Sequence, residues 1–242
     1  FQMLLRNPQT MPALRNTIII SAWKMALHLL VPVIVSILLN EIQSNAFRRI
    51  SQTLIYLPHF LSWIILAGIM IDLLSPNGGL VNRFLGLFGA EPIFFLGSNK
   101  WFRFTLVFTD VWKEFGFGTI VYLAAITNID PTQYEAATID GANRFQRIMH
   151  VTLPNMRMII VLMMVLSLGN VLNAGFDQVY NMYSEAVYST GDILDTFIYR
   201  LSFKNGLWGQ SAAVSMFKSV VSTLFISVSY LCAYKFADYR VF

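Results

Sequence analysis

The chain has 242 residues, of which 56% are hydrophobic and only 12% are charged, and its mean hydropathy is +0.58. Soluble domains carry about 25% charged residues, so this composition excludes an ordinary soluble domain and indicates a protein built for lipid. The net charge is +4, and the sequence has no stripe of basic residues suited to binding nucleic acid. The single cysteine, Cys232, excludes an internal disulfide and a cysteine-based zinc site.

Five apolar segments are long enough to cross a membrane as helices, since a span needs about 20 residues. The predicted spans are residues 14–40, 50–74, 102–127, 156–175 and 207–236. The residues through Pro12 are polar and do not resemble a signal peptide.

Charged side chains lie well inside three of these spans, away from the ends. Lys24 lies about 15 Å into the first span at 1.5 Å per residue, and Lys218 is similarly placed in the last. Because a charge in hydrocarbon is costly, such residues predict either a polar translocation path or ion pairs that hold helices together. The candidate path residues are Lys24, Asp110, Trp112, Lys113, Glu114, Phe115 and Lys218. Lys24 and His28 stand four residues apart, but no second group of metal-ligand residues accompanies them, so we expect no metal site.

The connection between the second and third spans predicts a turn and a short helix. Residues 75–79 read Ser-Pro-Asn-Gly-Gly, which is a turn signal. Residues 80–89 follow with apolar side chains at helical spacing, which predicts an amphipathic helix at the membrane interface.

The connection between the third and fourth spans, residues 128–155, is polar and begins with helix-start signals. Asp130 is a good N-cap, Pro131 suits the first helical position, and Gln133 completes a start that resembles a capping box. Residues 134–139 are therefore predicted to form a short helix.

A tight turn and a second helix are predicted after it. Gly141 can adopt a positive φ and end the first helix. Residues 145–151 are predicted to form a second short helix, and Pro154 to begin the fourth span, where its missing N–H would be unpaired in any case.

The residues from Glu135 to Pro154 resemble the EAA loop of bacterial ABC-importer permeases. That loop reads approximately E-A-A-x-x-D-G-A, then F, I and L-P, and every position is filled here. The resemblance implies cytoplasmic coupling helices that dock into an ATPase subunit; the alternative is an ordinary cytoplasmic loop between two membrane helices. The implied coupling residues are Glu135, Ala136, Ala137, Asp140, Gly141, Phe145, Ile148, Leu153 and Pro154.

The segment after the fourth span, residues 176–200, resembles the permeases associated with complex oligosaccharides and polysaccharide fragments, and residues 75–89 are similar to the sugar-permease branch. Residues 176–200 either dock an extracytoplasmic binding protein, pack on the helix bundle or contact sugar directly. In the last case aromatic rings would stack on sugars and carboxylates would accept hydroxyl hydrogens. The candidate residues are Tyr188, Asp192, Asp195, Phe197 and Tyr199.

The resemblance implies an all-α fold, a polytopic membrane helix bundle of the ABC type I importer class, with five spans in this chain and six in the full protein. Residues 1–242 would form a single type-1 permease domain, within which residues 128–155 form the cytoplasmic coupling loop. The loop containing Tyr188 would then face outside, although the counts of basic residues on the two sides tie and do not settle the orientation.

The implied function is that of the permease subunit of an ATP-driven carbohydrate importer in the bacterial plasma (inner) membrane, moving an oligosaccharide by alternating access. The implied partners are a second permease (a related chain or a second copy), two ATP-binding subunits, an extracytoplasmic solute-binding protein, the carbohydrate and membrane lipid, with no nucleic acid.

The sequence has no G-x-x-x-x-G-K-[ST] phosphate loop, so we expect no enzyme activity and no cofactor in this chain, with ATP and magnesium on the partner subunits. An alternative is a secondary transporter driven by an ion gradient, in which the charges within the spans form a relay. A membrane-embedded enzyme is a more distant alternative.

Overall fold

The computed structural model describes residues 7–237, which form helices and contain no strand. The prediction of an all-α protein is confirmed. In chain order the α-helices are α1 Thr10–Asn40, α2 Asn45–Tyr56, α3 Trp63–Leu74, α4 Leu80–Gly86, α5 Phe102–Thr127, α6 Pro131–Ile139, α7 Arg144–Leu168, α8 Phe176–Met182, α9 Tyr188–Gly191, α10 Leu194–Tyr199 and α11 Trp208–Ala237.

Three helices in the described part of the chain, α1, α7 and α11, are long and apolar enough to cross a membrane, or up to four if the bent pair of α2 and α3 counts as one span. Helix α5 has 26 residues and the bounds predicted from the sequence. It is long enough to span, but Arg103, Asp110, Lys113 and Glu114 make its composition too charged for hydropathy alone to indicate a span.

The prediction of one continuous helix over residues 50–74 is wrong. Helix α2 continues into a 3₁₀ turn at Leu57–Phe60, and the chain then bends by 103° before α3. Pro58 has no N–H to extend the α-helical ladder. Ser62 adopts an extended conformation and starts α3 as its N-cap, accepting a hydrogen bond from the Ile65 N–H at 3.4 Å.

The predicted separate helix at residues 145–151 and the predicted fourth span at 156–175 are parts of one helix, α7. Pro154 is the second residue of the α-helical part Leu153–Leu168, in agreement with the prediction, but a π turn at Ile148–Thr152 joins this part to Arg144–Arg147 in one helix. The proline ring crowds the carbonyl four residues back, and the shifted hydrogen bonds of the π turn accommodate it. The N–H of Leu153 accordingly donates to the carbonyl of Ile148, five residues back. The helix ends at Leu168, before the predicted end.

The chain folds into two compact units. The first contains the described residues up to Lys24, together with Leu61–Asp110 and Asn170–Phe225. Its core has two clusters, one around Phe102 and one around Phe197.

The second unit contains Met25–Phe60, Val111–Gly169 and the described residues from Ile226 onward. Its core is formed by Tyr122 and Met156, together with Ile126. This unit holds the segment at residues 128–155.

Candidate functional site

The candidate coupling segment, residues 128–155, begins with a capped helix. The Asp130 carboxylate accepts a hydrogen bond from the Thr132 N–H at 2.9 Å, and this bond holds the pKa of Asp130 below its usual value. Pro131 is the first residue of α6, as predicted. The side chain of Gln133 does not complete a capping box, because its oxygen accepts a hydrogen bond from Asn155 at 2.8 Å.

Gly141 ends α6 in a Schellman motif. Its φ is +79°, in agreement with the prediction of a positive φ. The N–H of Ala142 donates to the carbonyl of Ala137 at 2.9 Å, and the N–H of Gly141 donates to that of Thr138 at 3.1 Å. A Cβ at Gly141 would meet no atom within 4 Å, so the left-handed backbone, and not lack of space, favours glycine.

A capping box that the sequence analysis missed joins this turn to α7. The Asn143 side-chain oxygen accepts from the Gln146 N–H at 2.9 Å, and the Gln146 side-chain oxygen accepts from the Asn143 N–H at 2.8 Å. The signal was present in the sequence as an Asn followed three residues later by a Gln. Hydrogen bonds therefore fix both sides of the turn between α6 and α7.

Large apolar side chains lie on the surface of this segment. Ile139 is 86% exposed and Phe145 is 69% exposed, with charged Glu135 and Asp140 also exposed nearby in the sequence. Of the nine predicted coupling residues, six are exposed, while Ala137, Ile148 and Leu153 are half-buried; the exposed ones are Glu135, Ala136, Asp140, Gly141, Phe145 and Pro154. Exposed apolar side chains with charged neighbours are typical of a surface that binds another protein.

Two candidate path residues, Lys24 and Asp110, form a buried ion pair in the first unit. Lys24 Nζ lies 3.2 Å from Asp110 Oδ1, and both residues are less than one-tenth exposed. Lys24 also donates to the carbonyl of Ala174 at 2.8 Å and to the side-chain oxygen of Gln178. The Gln178 amide nitrogen donates in turn to Thr109 at 2.8 Å. This satisfied network favours the interpretation of the pair as one that holds helices together.

A second ionic cluster lies in the other unit and includes His59, which the sequence analysis did not select. Lys113 Nζ is 2.6 Å from Glu114 Oε1 and donates to the carbonyl of His59 at 3.0 Å. The His59 ring nitrogen Nδ1 is 2.7 Å from Glu114 Oε2, and its ring stacks on Phe117 at 4.1 Å. Nothing in the sequence indicated this contact, since 55 residues separate His59 from Glu114.

The remaining candidate path residues differ in their surroundings. Trp112 is 38% exposed and Phe115 is half-buried. Lys218, in α11, pairs with Asp195 of the segment after the fourth span. All five charged path candidates therefore take part in three local ion pairs.

Within residues 176–200, the candidates Asp192 and Phe197 are buried. Asp192 is 3% exposed, and its carboxylate accepts hydrogen bonds from both terminal nitrogens of Arg200, at 2.5 and 3.1 Å. Burial would lower the pKa of Arg200, but the hydrogen bonds and charge of Asp192 raise it above its usual value. Phe197 is 1% exposed. In this conformation both side chains stabilise the segment and do not face solvent.

The other two aromatic candidates of this segment are more accessible. Tyr188 is half-buried beneath Arg200, whose guanidinium carbon lies 4.3 Å from the ring centroid. Tyr199 belongs to an aromatic cluster, defined here as five rings with consecutive centroids 4.8–5.3 Å apart. The aromatic cluster consists of Phe176, Tyr180, Tyr199, Phe203 and Trp208. Phe203 is 67% exposed and Trp208 is 59% exposed, and the sequence analysis selected neither.

Comparison with known proteins assigns the family. Residues 28–241 match the family described as "Binding-protein-dependent transport system inner membrane component". The chain belongs to this family. It is also 37% identical over its whole length to the "Polygalacturonan/rhamnogalacturonan transport system permease protein YteP" of Bacillus subtilis (strain 168), covering 75% of that protein. It is 38% identical to "Protein LplB" of the same organism, covering 76% of it.

Two solved structures have the same fold. One is the "Crystal structure of bacterial alginate ABC transporter in complex with alginate pentasaccharide-bound periplasmic protein", with a TM-score of 0.94 and 34% identity over 100% of this chain and 84% of that one. The other is the "Crystal structure of a bacterial ABC transporter involved in the import of the acidic polysaccharide alginate". Its TM-score is 0.93, with 35% identity over 98% of this chain and 82% of that one. The predicted type I importer fold is confirmed. The chain is a multi-pass membrane protein and a transport subunit.

Proposed function

We propose that this chain is the permease subunit of an ATP-driven importer that passes an oligosaccharide across the bacterial inner membrane. An extracytoplasmic binding protein delivers the oligosaccharide, two ATP-binding subunits supply the energy, and a second permease completes the path. The observation that carries the proposal is the geometry of the candidate coupling segment within a chain of this family.

The coupling segment has the properties that a mechanical contact requires. Its outer surface carries the apolar side chains of Ile139 and Phe145, which would dock into the ATP-binding subunit on the cytoplasmic side. The Schellman motif and the capping box fix the turn behind this surface. A force applied to the surface would therefore move the segment as a unit and would not deform the loop. Because α7 continues through Pro154 into a span, movement at the surface would be transmitted along one helix.

Carbohydrate is the proposed substrate class, supported by the names of the relatives and by the aromatic cluster. The C–H face of a pyranose ring packs on aromatic faces, which carry partial negative charge. Phe203 and Trp208 expose their rings at one end of the cluster, and Tyr180 and Tyr199 add hydroxyl groups. We place the aromatic cluster at the outer side, where the binding protein releases its ligand.

Reconstituted transport tests this proposal. The chain is co-purified with its partner permease and ATP-binding subunits, placed in proteoliposomes and supplied with the loaded binding protein. We expect oligosaccharide uptake that requires both ATP and the binding protein and that continues when ionophores collapse the proton and sodium gradients. Uptake driven by an imposed ion gradient without ATP would establish the secondary-transporter alternative.

A further inference from the structure

An open cavity of about 320 Å³ lies beside the start of α7 in the second unit. It is lined by Asn40, Glu41, Ile42, Gln43, Arg48, Tyr134, Arg144 and Arg147. Three of these residues are arginines and one is a glutamate, so positive charge exceeds negative charge in the lining by two. The volume lies within the range of small-molecule sites, which begins at about 300 Å³.

The arginines of this cavity have unused hydrogen-bonding capacity. Among the side chains that the structure describes, Glu41 forms no salt bridge with them. The Nε of Arg48 is buried and has no hydrogen-bond partner there, while its terminal nitrogen makes one contact to Asn45 at 3.4 Å. Arg147 makes one contact, to Thr138 at 3.3 Å. Because these guanidinium groups make few hydrogen bonds within the described chain and the lining has excess positive charge, the cavity is suited to an anion.

The shape of the guanidinium group narrows the class of anion. Its planar fork of N–H donors matches the paired oxygens of phosphate or carboxylate, and hydrogen bonds to a charged oxygen are about twice as strong as neutral ones. Asn40 and Gln43 add side-chain amides that can donate to further oxygens, while the Tyr134 hydroxyl lies 3.0 Å from Thr152 Oγ1. A group with several oxygens therefore fits this lining better than a halide does.

Helix α2, which contributes Arg48, has the pattern of a helix that lies at a membrane surface. Its apolar side chains follow a spacing of three and four residues and are 58–63% exposed; they are Phe47, Ile50, Leu54 and, just after the helix, Leu57. Arg48 and Arg49 occupy other positions on the same helix. In such helices the apolar stripe meets acyl chains and the basic residues meet headgroups.

We propose that the cavity binds the phosphate group of an anionic membrane lipid, with Arg48 and Arg144 as its main ligands and the acyl chains lying along the apolar stripe of α2. The bound phosphate would accept hydrogen bonds from the guanidinium groups of Arg48 and Arg144 and neutralise the excess positive charge beside the coupling segment. A lipid held there would link the coupling segment to α2.

Native mass spectrometry of the assembled complex, delipidated and then incubated with mixed micelles, tests the proposal. We expect the wild-type complex to retain phosphatidylglycerol in preference to phosphatidylcholine, and Arg48→Gln to lower that retention about tenfold, because the phosphate loses a charge-assisted hydrogen-bond donor. A tenfold loss corresponds to about 1.4 kcal/mol. Arg49→Gln is the matched control, because Arg49 is exposed, adjacent and not part of the lining. It should retain phosphatidylglycerol nearly as the wild type does.

Three results would overturn the proposal. Equal retention by Arg48→Gln and Arg49→Gln would show that the cavity does not select the lipid. Displacement of phosphatidylglycerol by millimolar inorganic phosphate, with no preference for the lipid, would make free phosphate the ligand. Loss of the ATP-binding subunits from Arg48→Gln or Arg144→Gln with unchanged lipid retention would make the cavity a docking site for an acidic side chain of a protein partner.

Discussion

A substitution that adds a single methyl group at Gly141 tests the role of the coupling turn. At φ +79°, Gly141→Ala should destabilise the turn by about 1–2 kcal/mol, and Gly141→Val by more, because the penalty comes from the backbone and no neighbouring atom crowds the new Cβ. ATP-dependent uptake should fall in the same order while the complex still assembles. Gly86→Ala is the matched control, since its Cβ also meets nothing within 4 Å and its φ is not left-handed. Normal uptake coupled to ATP hydrolysis in Gly141→Val would contradict the coupling role.

Variants of the buried Lys24–Asp110 pair can distinguish a structural role of the pair from a role in transport. Removing one partner of such a pair typically destabilises a protein by about 3–5 kcal/mol, whereas replacing both with apolar residues is often neutral. Lys24→Met and Asp110→Leu should therefore each lower the amount and melting temperature of the complex, and the double variant should recover both.

Uptake by the double variant, measured per assembled complex, distinguishes the structural role from the transport role. If the pair only holds helices together, transport should recover with stability. Recovery of the melting temperature without recovery of uptake would instead place Lys24 and Asp110 on the substrate path.

At the scale of single elements, the capping box of α7 gives a local prediction. Asn143→Ala should destabilise the first turn of α7 by about 1 kcal/mol, because the Gln146 N–H loses its acceptor. Amide hydrogen exchange at Gln146 and Arg147 should then be about fivefold faster. Asn143→Ser keeps a side-chain acceptor and should exchange nearly as the wild type does. Equal exchange in both variants would show that the capping box does not hold the turn.

The elements that could be predicted are those whose signal is local. The bounds of α5 follow from an uninterrupted helical run, and the positive φ of Gly141 follows from its place at the end of a capped helix. The π turn that joins Arg144–Arg147 to the helix of Pro154 could not be predicted, because a proline in the first turn also fits a new, separate helix. The bend after Phe60 had local signals, a proline at Pro58 and an N-cap residue at Ser62, but the length of the surrounding apolar run favoured one continuous span.

The candidate site was harder to predict, because burial and pairing depend on distant parts of the chain. Asp192 and Phe197 were selected as candidates for contact with a binding protein or a sugar, yet both are buried, as the alternative of packing on the bundle implies. Phe203 follows Tyr199 by four residues, a spacing that places both on one helix face, but Trp208 lies five residues beyond Phe203, at the start of the next helix, where no helical period relates it to them. The residue types were therefore a better guide to the chemistry than to the position of each side chain.

At the scale of the whole molecule, the exposed apolar surface indicates what must surround the chain. Large apolar side chains along the three apolar helices are exposed, among them Leu38 of α1, Met158 of α7 and Leu224 of α11. Patches of this kind are stable only against lipid or protein. Lipid covers part of this surface in a multi-pass protein, and the proposed second permease would cover more.

Cysteine labelling tests the orientation of the chain in the membrane. The single native cysteine, Cys232, is first replaced with serine, and Thr132→Cys and Ser184→Cys are made separately, because both positions are exposed. If the coupling segment is cytoplasmic, an impermeant maleimide should label Ser184→Cys in intact cells, and Thr132→Cys only after the cells are permeabilised. Uptake by each variant confirms that the labelled complex is the functional one. Labelling of Thr132→Cys in intact cells, with Ser184→Cys protected, would place the coupling segment outside, where no ATP-binding subunit could reach it.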